Sequence, residues 1–311
     1  MTYGYVLGID IGTQGVKGAL FDTKGTCIAE HGESSRLENP VAGAITEDPE
    51  FQYASVLRII KACLEKAERD GHTDVPARTL ALAIDGQMAG VIGVRSDGMA
   101  VTPYDSWLDT RCAPYLDLMR SEANDLILEK AGTAPSINHG PKKLWWKHEQ
   151  PQVFKKIVKF VQPGAYAAAR LCGLSGHQGF IDRTYLHFSG FSDTANGVWD
   201  DELCTRFSMP KDKLPEIVDS TTLVGAITKE ASRLSGLREG TPVAAGCGDT
   251  VASFLSSGAV EEGMSVDVAG TASVFALTQR EFVPDHKSGI LGCCASVMPD
   301  LWDSDAYING G

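Results

Sequence analysis

IDIGTQGVKGALFD, residues 9–22, is the stretch that decides the fold. An apolar–Asp–apolar run enters Gly12-Thr13-Gln14-Gly15 and comes back as a second apolar run. That is a strand, a turn and a returning strand. Reading outward, residues 5–11 form the first β-rich run and residues 16–21 the second. Asp22-Thr23-Lys24-Gly25 is a hairpin turn with glycine at its end, after which residues 26–30 pair back. Three antiparallel strands are expected.

A helix is expected from Asp48, a good N-cap, with Pro49 in the first helical position. Val56, Leu57, Ile60, Leu64 and Ala67 then recur at helical spacing, and Gly71 is a stop. Residues 80–84 and 91–94 are short apolar runs that predict strands, the first of them buried. The order is not a strict alternation of strand and helix, so it predicts a mixed sheet with helices packed on it. Residues 113–240 are richer in helix signals. From Thr241 the pattern changes. PVAAGCGD is a strand running into a glycine-rich turn, and SVDVAGTASVFALT is two strands about a second Gly-Thr turn. The two Gly-Thr hairpins read as a weak internal repeat, although two short hairpins can resemble each other by chance.

The chain has 311 residues, enough for two domains, and is 43% hydrophobic and 22% charged. Its 28 basic and 40 acidic residues leave a net charge of -12, which argues against a nucleic-acid partner. Eight cysteines show no C-x-x-C pair and predict free thiols in a reducing cytosol. No signal segment and no membrane-length apolar run is seen, so a soluble, cytoplasmic protein without a membrane partner is expected.

Several residues are candidates for chemistry, each beside a plainer explanation. Gly12, Thr13 and Gln14 suit a phosphate, because glycines admit close backbone approach and threonine adds a hydroxyl. An ordinary hairpin explains the turn equally well. Neither a P-loop nor a Rossmann pattern occurs. Asp10, between Ile9 and Ile11, suits Mg²⁺, or is a strand-end acid. Asp249, in Gly246-Cys247-Gly248-Asp249-Thr250, suits a general base, or caps the next helix. Trp107, Asp109 and Arg111 combine stacking with donors and acceptors for a polyol, or form an exposed loop. Gln87 and Met88 follow a strand end, where α/β sheets bind ligands. Cys247 has no histidine placed to activate it. His139, His177 and His187 show no ligand spacing.

GIDIGTQGVKGALFD, ALAIDGQMAG, SWLDTRC, PKKLWW, FSDTANGVWD, GCGDTVASFLSSGAV and AGTASVF, in that order along the whole chain, resemble the FGGY family of carbohydrate kinases, most nearly its xylulokinase-like members. The resemblance implies an α/β, actin-like ATPase or ribonuclease H-like fold: a mixed sheet with flanking helices, complete in the first domain and incomplete in the second. It implies a sugar-binding domain over 1–242 and the start of a nucleotide-binding domain over 243–311. It implies ATP-dependent phosphorylation of a sugar hydroxyl, D-xylulose being the first guess. Asp249 would be the base and Asp10 the acid near Mg²⁺, acting through water. Gly12, Thr13 and Gln14, with Gly270 and Thr271, would grip ATP phosphates. Gln87, Met88, Trp107, Asp109, Arg111, Asp249 and Thr250 would face the sugar. Partners would be sugar and ATP, with a homodimer left open.

The sequence departs from the family pattern. Ala89 stands where xylulokinases usually carry histidine, and Thr250 replaces a common asparagine, which opens the choice of ketose or polyol. Family chains are also longer, so this piece alone is expected to be a poor kinase. The alternative reading is a catalytically incomplete actin-like protein that binds sugar or nucleotide.

Overall fold

The computed structural model describes residues 4–269 and 272–309. The expected meander is present as β1 (Tyr5–Ile11), β2 (Gly15–Asp22) and β3 (Cys27–Ser34), each antiparallel to the next. Gly25 closes the second turn at φ 85°, where a residue with a Cβ is strained. Three later strands join them: β4 (Thr79–Gly86), β5 (Leu223–Ala226) and β6 (Pro242–Ala244). The sheet order is β5-β6-β4-β1-β2-β3. β4 runs parallel to β1 with Asp85 opposite Asp10, and β6 runs parallel to β4. This is the mixed sheet the sequence predicts.

Helix α1 (Pro49–Arg69) begins as expected, with the Asp48 carboxylate accepting from Glu50 N at 2.9 Å. Its face of Val56, Ile59, Ile60, Cys63, Leu64 and Ala67 is buried with Ile9, Ile11, Val16 and Leu20 of the sheet. Burying each such aliphatic side chain is worth roughly 1.5–3 kcal/mol. The helix can lie this close because Gly18 has no side chain. A Cβ there would stand 2.5 Å from Ile59 Cγ2.

Helix α1 lies on β2 and β3, while α4 (Pro163–Cys172), preceded in the chain by α2 (Ala113–Ala131) and α3 (His139–Glu149), lies on β4 and against α1. The opposite face is more open, with Val6 and Leu80 exposed. The run at 80–84 is therefore a strand but not buried throughout. Leu82 and Ile84 face the core while Leu80 faces out, because alternate residues point to opposite sides. The expected strand near residues 91–94 is Ile92–Val94, and it pairs with Lys159–Val161 rather than with the main sheet. The middle of the chain closes on its own core of Met119, Leu144, Trp146, Phe160 and Phe191.

After β6, Gly246 turns the chain at φ 76°, and a Cβ there would fall 1.9 Å from the Ile84 carbonyl oxygen. Only glycine fits. Helix α5 (Asp249–Ser256) follows. A separate antiparallel sheet, β7-β8-β10-β9, is formed by β7 (Ser265–Ala269), β8 (Ala272–Gln279), β9 (Gly292–Ala295) and β10 (Trp302–Asn309). β7 and β8 are the second expected hairpin, and its turn residues Gly270 and Thr271 lie outside the described residues. The expected division after residue 242 falls at the first residue of β6, a strand of the first sheet. A third apolar cluster, including Met88, Leu186, Val251, Phe254, Val266 and Ala276, packs the second sheet against α5 and the segment that follows β4. Among the described residues no helix is long and apolar enough to cross a membrane. All eight cysteines are free thiols.

Candidate active site

Three carboxylates, Asp10, Asp85 and Asp249, lie within electrostatic reach of one another where adjacent strands end. Asp10 and Asp85 lie side by side on the parallel pair β1 and β4, and Gly86 bridges to Gly248, next to Asp249. Strand ends of this kind are where α/β sheets leave a crevice for ligands. Both Asp10 and Asp85 sit on the more open face of the sheet, because they alternate with core residues Ile9, Ile11 and Ile84.

Burial, then the charge of Asp10, pushes Asp249 up to about 7. Its carboxylate accepts from Thr250 N at 2.7 Å and from the Thr250 hydroxyl at 3.2 Å. Burial raises Asp10 as well, while a hydrogen bond from Asp85 pulls it back. Burial and the neighbouring Asp10 charge hold Asp85 protonated well above the carboxylate range. Like charges this close cannot all ionise without cost. Asp10 Oδ1 is buried with no hydrogen-bond partner in the protein.

The turn that presents Asp249 is itself braced. Gly248 N donates to the Thr184 hydroxyl at 2.9 Å, and that hydroxyl donates to buried Asp182. The Tyr185 hydroxyl lies 3.0 Å from the Gly86 carbonyl and 2.9 Å from the Cys247 carbonyl, spanning the two strand ends. Sequence reasoning missed Asp85, Asp182, Thr184 and Tyr185. Asp85 carried a signal: it precedes Gly86-Gln87-Met88 at a strand end, as Asp10 precedes Gly12.

A cavity of about 590 Å³ opens beside Asp249. Of the residues expected to meet substrate, Thr13, Gln87, Met88, Trp107, Asp249 and Thr250 line it, together with Ala89. Trp107 Nε1 donates to the Thr13 hydroxyl at 2.9 Å, Thr13 donates to Gln87 Oε1 at 3.3 Å, and Gln87 Nε2 donates to buried Glu47 at 2.8 Å. This chain of bonds holds the indole at one wall of the cavity. The Thr13 hydroxyl, expected to meet phosphate, is engaged in it. Gln14 is exposed, and its backbone carbonyl accepts from Ser35 N at 3.1 Å.

Asp109 and Arg111 do not line the cavity. Asp109 is buried and accepts from Ile45 N at 3.1 Å and from Arg111 Nε at 2.9 Å. Arg111 also bonds Asp105 at 2.7 Å and stacks over Trp145 at 4.2 Å. The cluster ties the loop carrying Trp107 to α3. Charged pairs on a short spacing look like ligand binders in sequence, and here neighbouring elements consume them. Burial pushes the Cys247 thiol far above its ordinary value, which disfavours the thiolate. His139 is buried with its Nε2 on the Met88 carbonyl, so it positions the residue before Ala89.

Among the described residues, no three His, Cys, Asp or Glu side chains are gathered as a metal cage. Magnesium usually keeps several waters and takes one or two carboxylates with substrate phosphates. A single strand-end carboxylate with an unpartnered buried oxygen fits that habit.

Residues 5–256 match the FGGY family of carbohydrate kinases, N-terminal domain. The xylulose kinase of Bacillus subtilis is 27% identical over 92% of this chain and 56% of its own length. That of Escherichia coli is 25% identical over 95% of this chain and 58% of its own. The crystal structure of xylulose kinase from Rhodospirillum rubrum superposes with a TM-score of 0.90 at 24% identity, over 98% of this chain and 61% of that one. The chain thus spans somewhat over half the length of the relatives it matches.

Proposed function

The chain belongs to the FGGY family of carbohydrate kinases, and from that premise we propose that it carries the sugar site and catalytic base of an ATP-dependent sugar kinase. One observation carries the reading: Asp249, raised to about 7, stands at the wall of a cavity whose other residues suit a polyol. A sugar hydroxyl is a weak nucleophile, and a base works best when its own pKa lies near the working pH.

In the proposed step the sugar hydroxyl oxygen bonds to the γ-phosphorus of ATP. The bond from that phosphorus to the ADP oxygen breaks, and the hydroxyl proton passes to Asp249. Thr250 holds the Asp249 carboxylate through its backbone N–H and its hydroxyl. Trp107, fixed by Thr13, gives one apolar wall for the sugar carbons. Gln87 and Met88 stand along the same cavity. Gly12, Thr13 and Gln14 would meet the phosphates through the backbone of their turn, and the matching turn at Gly270 and Thr271 would act from the second sheet. Asp10 would hold Mg²⁺, directly or through water. Bound there, the ion would neutralise charge on the phosphate oxygens. Asp109 and Arg111 support the reading as residues that position the Trp107 loop.

The xylulose kinases among the relatives make D-xylulose the first sugar to try, with Ala89 leaving other ketoses and polyols open. The test is Asp249→Asn in a protein that also carries the remaining length of the family. We expect kcat to fall about 10²–10⁴-fold, with sugar binding largely kept. Turnover within a few-fold of the parent would remove Asp249 from the mechanism.

A further inference from the structure

We propose that Asp182 is a positioning residue for the sugar kinase step: through Thr184 and Ser220 it holds both ends of the turn at 246–248, and so fixes where the Asp249 carboxylate meets the sugar hydroxyl. This rests on the reading of Asp249 as the base that receives the sugar proton.

Asp182 ends the short strand Phe180–Asp182, which runs parallel to Glu216–Val218, and it caps the 3₁₀ segment Arg183–Phe188 that follows. Asp182 and Thr184 are both buried. Oδ1 of Asp182 accepts from Thr184 N at 3.0 Å and from the Thr184 hydroxyl. Oδ2 accepts from the Ser220 hydroxyl at 2.7 Å. Burial pushes Asp182 up to about 6 against the pull of these donors, so at neutral pH it is largely ionised and only accepts. A hydroxyl has one proton to give. With that proton on the carboxylate, the Thr184 oxygen is left to accept, and Gly248 N donates to it at 2.9 Å.

The second arm reaches the other end of the same turn. Ser220, tied to Oδ2 by its side chain, accepts from Gly246 N at 3.0 Å through its backbone carbonyl. Between the two arms the Tyr185 hydroxyl, from the residue after Thr184, lies 2.9 Å from the Cys247 carbonyl. The three residues that lead into Asp249 are thus each held at the backbone. A helix cap accounts for the bond to Thr184 N. It does not account for both oxygens of one buried carboxylate leading to a single turn. The position matters because a base must lie within hydrogen-bond reach of the proton it takes, and a displacement of about 1 Å can cost about a hundredfold in rate.

The first test uses the 311-residue chain labelled with carbon-13 at the aspartate carboxyls, in which the Asp249 signal is the one that Asp249→Asn removes. Asp182→Asn sets an amide donor against donors and risks the fold, so the decision rests on the two arms. Thr184→Val keeps the side-chain shape, breaks the first arm and should move or split the Asp249 signal. Thr184→Ser should restore it, and the signal of Asp305, in the same cavity on the second sheet, should stay in place. Melting temperatures show whether Thr184→Val is folded, and Ser220→Ala, at a half-buried position on the second arm, carries the test if it is not. An Asp249 signal that these variants leave unmoved overturns the proposal. The second test reads turnover of D-xylulose with ATP in a protein that also carries the remaining length of the family. Thr184→Val should lower kcat about tenfold to a hundredfold, with KM within about twofold. Once Asp249→Asn is present it should cost nothing further, because residues that act as a unit are not additive. An equal loss in both backgrounds overturns the proposal and leaves Asp249 standing as the base. Turnover kept by Asp249→Asn itself overturns the base and the proposal together.

Discussion

The two Gly-Thr hairpins share a sequence pattern and differ in what covers them. In the first, Ile9, Ile11, Val16 and Leu20 are at most 2% exposed, because α1 and α4 together cover that face of the sheet. In the second, Val266 and Ala276 are buried on one face, while Phe275 and Leu277 on the other are 51% and 40% exposed. The acids in the two patterns diverge in the same way. Asp10 sits at a strand end beside Asp85 with a buried, unpartnered oxygen, whereas Asp267 is exposed. Alternation decides which residues share a face. It does not decide whether anything packs on that face, which depends on elements far away in the chain.

The sharpest way to break this comparison is through charge. The folded pKa of Asp249, about 7, lies above its ordinary 3.8. Between those values the folded chain holds a proton that the unfolded chain has released, so stability is lost as pH rises through the folded pKa. Asp249→Asn should therefore raise stability at pH 8 by up to about 4 kcal/mol, the full shift at 1.36 kcal/mol per unit. The gain should vanish below pH 4. Denaturant melts across that range measure it, and a gain independent of pH would mean Asp249 is not buried as described. The matched control, Asp267→Asn on the exposed strand, should shift stability by less than about 0.5 kcal/mol.

Next comes the cavity cost of the covered hairpin. Ile11→Ala should destabilise by about 3 kcal/mol. If it costs no more than an exposed substitution, the helices do not cover this face of the sheet in solution. A smaller effect is expected at Trp107. Its indole N–H holds Thr13, so Trp107→Phe should cost about 1 kcal/mol and loosen sugar binding without altering the fold. Near-ultraviolet circular dichroism would register the lost wall. The smallest effect should be Leu277→Ser, within about 0.5 kcal/mol, because its side of the sheet meets solvent. A cost like that of Ile11→Ala would show that something covers this face.

Much of the fold was legible from short-range physics. The meander, the Asp48 cap with Pro49, the apolar stripe of α1 and both hairpins depend on neighbours in sequence, where strand alternation, helical spacing and turn chemistry act. The candidate site was legible in part for a related reason. Asp10, Gln87, Met88 and Asp249 sit at the ends of apolar runs, which mark strand ends wherever those strands lie. Asp85 carried the same strand-end signal as Asp10, but its role comes from register: only the pairing of β4 beside β1 brings it against Asp10.

Asp109 and Arg111 show the converse. Their spacing suggested a polyol site, yet once α3 packs against their loop each finds its partners within the protein. By itself the sequence determined the strand and helix pattern, the glycine-dependent turns and the carboxylates at strand ends, because local sterics and alternation act over a few residues. Only the tertiary structure decided which carboxylates share a field and which charged residues are consumed by neighbours. Those are properties of distance in space, and burial multiplies them by excluding water.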